Sequence, residues 1–217
     1  MRVRGFVTAM AAALALAACT PLTSEHPLFS HADEVGPSPL SEGLWVGIDE
    51  DCTREMAARA PSPESCDQFT LRHTASGWRL SAQDKDDNGA VRTLEFPIVV
   101  VPAVPTEHAD AYAPLYIVEL GRRDADPKSD APPDQRIYAV VAPIGVLPAQ
   151  ELFVTEIDCA AILREGPIDG VSERRGADGA LSGCVAANQA AVREAARRTV
   201  IENLSGIDRN RMVLVRP

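Results

Sequence analysis

Seven short segments between residues 43 and 157 carry the spacing of β-strands, and no connection among them reads as a long crossover helix. This restricts the chain to antiparallel pairing. The segments are residues 43–48, 68–73, 77–83, 91–101, 115–120, 136–146 and 151–157. In the third, Trp78, Leu80 and Ala82 share one face; in the fourth, Leu94, Phe96, Ile98 and Val100 do so. Pro97 and Pro143 donate no hydrogen bond, so their strands must end a ladder or bulge there. Helix is confined to the later part of the chain. Asp158 is placed to cap a short turn reaching Leu163 and stopped by Gly166-Pro167, and Asn188 is placed to cap a longer helix running to about residue 204 before Gly206. On the longer helix Val192, Ala195, Ala196, Thr199 and Val200 share a face, while Arg193, Arg197 and Arg198 are expected to point to solvent. Residues 212–215 read as a closing strand. The expected fold is mainly β: an antiparallel meander or partly closed barrel with one C-terminal helix packed on it. Since aromatic residues make up only 5% of the sequence, its core must be largely aliphatic.

A different pattern governs the start. Arg2 and Arg4 precede an apolar run from Phe6 to Ala18, too short to span a bilayer, which ends in Leu16-Ala17-Ala18-Cys19. This resembles the lipobox signal of bacterial lipoproteins. The resemblance implies cleavage after residue 18, lipidation of Cys19 by diacylglycerol and an N-acyl chain, and, since Thr20 rather than Asp follows, the inner leaflet of the outer membrane. Acyl chains at about 0.8 kcal/mol per buried methylene make such an anchor permanent. Residues 19–41 hold Pro21, Pro27, Pro37 and Pro39 without an apolar period and read as a lipidated tether reaching about 65 Å. His26 and His31 are then solvated linker residues, and residues 42–217 form a single domain.

The oxidising periplasm gives Cys52, Cys66, Cys159 and Cys184 a reading as two disulfides, with no C-x-x-C spacing to suggest metal or redox work. Three connectivities are compatible with four cysteines; the local pairing, Cys52 with Cys66 and Cys159 with Cys184, is expected because each pair brackets one loop-rich segment. The formal charge of −10 becomes more negative once Arg2 and Arg4 leave with the signal, which argues against nucleic acid as a partner.

Two motifs remain. Asp84, Asp86, Asn88, Gly89, Ala90 and Glu95 stand at the spacing of a calcium loop and resemble the EF-hand over those residues. That resemblance implies calcium ligands at Asp84, Asp86, Asn88, Ala90 and Glu95; otherwise no cofactor is expected. The flanks alternate like strands and Pro97 would break the exiting helix, so the competing reading is a hairpin turning at Asn88-Gly89. Gly43-Leu44-Trp45 resembles the G-x-W signature of lipocalins, which implies an eight-stranded ligand barrel with Trp45 at the closed pocket end. The eighth strand is expected from residues 171–183. Catalytic signatures such as G-x-S-x-G and H-E-x-x-H are missing, and Glu107, His108 and Asp110 form a loop cluster that a solvated surface explains equally well. The expected function is that of an envelope-anchored, non-catalytic lipoprotein domain presented to an envelope protein partner. The alternatives are a lipocalin-like carrier of a small apolar ligand and, behind it, a periplasmic hydrolase.

Overall fold

The computed structural model describes residues 20–49, 51–59, 61, 66–85, 91–103, 115–121, 134–203 and 211–216. Alternation builds the central element. Strands β2 (Gly43–Ile48), β3 (Gln68–Thr74), β4 (Gly77–Lys85), β5 (Val91–Pro102), β6 (Tyr116–Gly121), β7 (Arg136–Pro143) and β8 (Glu151–Glu156) pair in chain order, each antiparallel to the next. Strand β11 (Arg211–Arg216) then pairs with both β8 and β2 and closes an eight-stranded barrel. When each ladder is carried round the barrel at its own register, the path returns to β2 displaced by about 12 residues. That stagger tilts the strands and makes the barrel wide for its strand number.

The interior receives every second side chain: Trp45 from β2, Phe69 and Leu71 from β3, Trp78, Leu80 and Ala82 from β4, and the Leu94, Phe96, Ile98 and Val100 row from β5. Strands β6 and β7 are largely buried on both faces because both faces are covered. Val118 and Leu120 face inward, whereas Ile117, Tyr138 and Val140 face an outer layer. Pro97 and Pro143 lie where one ladder has run out. The β5–β6 ladder begins at Ile98, one residue after Pro97, and the β6–β7 ladder stops at Val141, two residues before Pro143. Gly121 makes room for the Pro97 ring: a Cβ there would lie 2.6 Å from Pro97 Cγ. Gly121→Ala is therefore expected to destabilise by about 1–3 kcal/mol in urea denaturation.

One end of the barrel is closed by short-range contacts. Leu40, Leu147 and Ala149 pack with Trp45, Ala149 N–H donates to Pro39 O at 3.1 Å, and Ser41 Oγ donates to Ala149 O at 2.9 Å. The outer layer is assembled from both termini. Helix α3 (Gln189–Asn203) starts at the expected cap, Asn188 Oδ1 accepting from Ala191 N–H at 2.9 Å, and buries Val192, Ala195, Ala196 and Thr199. Helix α1 (Arg54–Arg59) covers Val46 and Val213 on the opposite side, where Cys52–Cys66 is bonded. Helix α2 (Cys159–Ile162) is joined to β10 (Leu181–Ala186) by Cys159–Cys184.

Three readings from sequence need correction. Residues 20–41 are part of the folded domain: β1 (Leu22–Ser24) lies between β7 and β10, with Leu22, Phe29 and Leu40 buried. The prolines hid a segment that pairs with ladder edges left open by its neighbours. His31 likewise is no linker residue, its Nε2 lying 3.0 Å from Ser76 O and its Nδ1 3.2 Å from Glu34. Second, the eighth barrel strand is β11. Residues 171–183 instead contribute to a hairpin of β9 (Val171–Arg175) and β10, which extends a side sheet through β1. Third, the arginines of α3 do not form a solvated cluster. Arg198 donates to the carbonyls of Ile162, Gly166 and Pro167, and the Arg193 guanidinium lies 5.3 Å from the Phe29 ring centroid and bonds Pro102 O. Arg197 is exposed and pairs with Glu194, whose carboxyl Arg197 and then Arg198 hold down at about 2.

Candidate functional site

The barrel interior is the enclosed apolar space that the fold creates. Outer-layer residues range from 0% exposed, as at Leu22, Ile117, Tyr138 and Val140, to 5% at Ala103 and Ile168, and lining residues from 0% at Trp45 and Ala149 to 8% at Trp78 and Phe96. A barrel of this size either fills with side chains or holds one small ligand. Trp45 lies at the closed end, fully buried, opposite Phe69 and Leu214, and its indole N–H donates to Ser41 O at 3.0 Å. Its motif, Gly43-Leu44-Trp45, thus opens the strand at the closed end of the barrel.

The alternation that carries Leu152 and Val154 inward also carries Glu156 inward, on the rung opposite Ala139. It stands toward the end of the barrel away from Trp45, since β8 runs from the closed end outward. Its Oε1 is buried without a hydrogen-bond partner among the described residues. Burial, and then the neighbouring Asp158 carboxylate, push its pKa up to about 8. The native state therefore keeps a proton that the unfolded chain releases near the ordinary glutamate value, so stability falls as pH rises between those two values. Glu156→Gln removes that penalty. The variant is expected to be more stable than the parent by on the order of 2 kcal/mol at pH 9 and little changed at pH 4, measured by thermal melts across that range.

A second buried acid works on the outside of the wall. Glu119, on β6, is 2% exposed; its Oε2 accepts from Leu28 N–H at 2.9 Å, Phe29 N–H at 3.1 Å and Tyr138 Oη at 3.0 Å. Ser24 Oγ lies 2.7 Å from Tyr138 Oη, and Arg136 Nε is 3.8 Å from Glu119 Oε1. Burial raises the Glu119 carboxyl above its usual range although these partners act the other way, and burial followed by the Glu119 charge raises the Tyr138 phenol. This network straps the N-terminal segment to the barrel and is structural.

The remaining sequence candidates fall as follows. Cys19 lies outside the described residues, as do Asp86, Asn88, Gly89 and Ala90 and the Glu107, His108, Asp110 cluster. The calcium-loop flanks are the strands β4 and β5 rather than helices, with Asp84 paired to Arg92 and Glu95 paired to Ser81. Among the described residues no group of three or more His, Cys, Asp or Glu is placed to hold a metal ion. Glu156 and Glu119 were missed, although an acid in phase with apolar neighbours on a strand was a visible signal in both. No family model matches this chain, and no curated protein or solved structure does so either.

Proposed function

We propose that this chain is an envelope-anchored carrier that holds a small apolar ligand inside the barrel, with no catalytic step. The observation that carries the proposal is the closed eight-stranded barrel, apolar along its lining and sealed at the Trp45 end. The reading as a partner-presenting scaffold rests on missing motifs, whereas the barrel interior gives the carrier a positive basis. The lipobox resemblance at Cys19 supports anchoring to the outer membrane by acyl chains. Native mass spectrometry of the full chain bearing Cys19→Ser, exported and gently purified, tests the proposal. A stoichiometric apolar adduct that dissociates in organic solvent is expected. A bare folded chain that takes up no added 1-decanol contradicts it.

A further inference from the structure

The geometry points to Glu156 as the head-group site of the barrel, where its carboxylate pairs with the ammonium of a long-chain primary amine whose alkyl chain fills the interior. The inference rests on the carrier reading. A carboxyl that faces an apolar lining with one oxygen buried and unbonded is costly unless a partner arrives, and among the described residues none is present. The surrounding charges specify the partner. Across the ladder stands Ala139, with Ile137 as the next inward residue of β7. Arg136 is turned to Glu119 and Arg211 to Glu151, and among the described residues the charge that acts on Glu156 is the carboxylate of Asp158. Two acids side by side disfavour a fatty acid or a phosphate-bearing head and favour a cation without an attached anion.

The same rim is where the chain would meet the membrane. Thr20, which follows the lipobox cysteine, donates its N–H at 3.3 Å and its hydroxyl at 2.8 Å to Asp158 Oδ1, two residues beyond Glu156. Thr20 O accepts from Cys159 N–H at 2.7 Å. With Thr20 fixed beside the Glu156 end of the barrel, an acyl anchor one residue before it would bring that end to the leaflet and make a membrane-dissolved amine the favoured source over one free in water. The proton balance is defined. With the Glu156 pKa raised to about 8, binding an ammonium near neutral pH is expected to release a proton to buffer as the ion pair forms.

The test compares decylamine, 1-decanol and decanoate by calorimetric titration of the Cys19→Ser chain at pH 6 and pH 8, with and without Glu156→Gln. Decylamine is expected to bind about tenfold tighter than 1-decanol at pH 8, with a smaller advantage at pH 6, and its heat is expected to vary with buffer ionisation enthalpy as a proton is released. Glu156→Gln is expected to reduce the amine-to-alcohol ratio to about one. Equal binding of amine and alcohol in the parent, or preference for decanoate, overturns the head-group assignment and leaves the carrier standing. Binding of none of the three overturns both. The parent's pH and ligand series decides the matter where the variant does not fold. A second arm presents octadecylamine in phosphatidylcholine vesicles to the lipidated and Cys19→Ser chains; faster uptake by the lipidated chain supports the membrane as source, and equal uptake overturns it.

Discussion

Replacing Glu119 by alanine is expected to cost about 3–5 kcal/mol. The carboxylate is 2% exposed and serves two backbone donors and the Tyr138 hydroxyl at once, with Arg136 beside it. Its removal strands the Leu28 and Phe29 N–H groups and leaves the Tyr138 hydroxyl with Ser24 Oγ alone, in a layer where Leu22, Val140 and Val192 leave no surface for water. Glu119→Gln retains an acceptor oxygen and is expected to be milder, about 1–2 kcal/mol. Urea denaturation gives the free energies, and hydrogen exchange at Leu28 and Phe29 localises the loss. An alanine variant within 1 kcal/mol of the parent would mean that the strap holds the N-terminal segment by apolar packing alone.

Trp45→Ala is expected to cost a similar amount, about 3–5 kcal/mol, for a different reason. The indole fills the closed end, fully buried between Phe69 and Leu214, and Ser41 O loses its donor when the ring goes. The cavity left behind cannot collapse readily, because the flanking strands are fixed by ladders on both sides and Leu40 and Ala149 are held across the end by their own hydrogen bonds. Urea denaturation with an unchanged m-value checks this. A loss below 1 kcal/mol would show the end to be loosely packed.

The barrel strands were legible because their signal is local. Trp78, Leu80 and Ala82, or Leu94, Phe96, Ile98 and Val100, alternate without interruption, and each pairs with its chain neighbour. The Asn188 cap and the buried face of α3 were legible for the same reason. What escaped was the long-range pairing. Leu22 is buried because β10, more than a hundred residues later, runs parallel to it, and nothing in a proline-rich stretch announces such a partner. β9 carries Ser172, Glu173, Arg174 and Arg175 in exposed positions, so its patterning is weak, and its ladder with β10 is interrupted by a register shift between Leu181 and Gly183. Arg197 and Arg198 both pair with Glu194, yet Arg198 is also clamped on three carbonyls while Arg197 stays at the surface, a difference set by where α2 happens to end. Of the candidate site, Trp45 could be read from its motif and Glu156 only from its phase on β8, which becomes meaningful once the strand is known to belong to a closed barrel.

Both tryptophans of the chain, Trp45 and Trp78, line the interior, so a ligand carrying a heavy-atom quencher reports directly on whether that space is occupied. The decisive measurement is a titration of the Cys19→Ser chain with 10-bromo-1-decanol, followed by tryptophan fluorescence, with 1-decanol as competitor. A carrier predicts saturable quenching at one ligand per chain, reversed by the unbrominated alcohol. Fluorescence that stays unquenched in a chain with intact near-ultraviolet circular dichroism would contradict it and leave the barrel as a filled structural core.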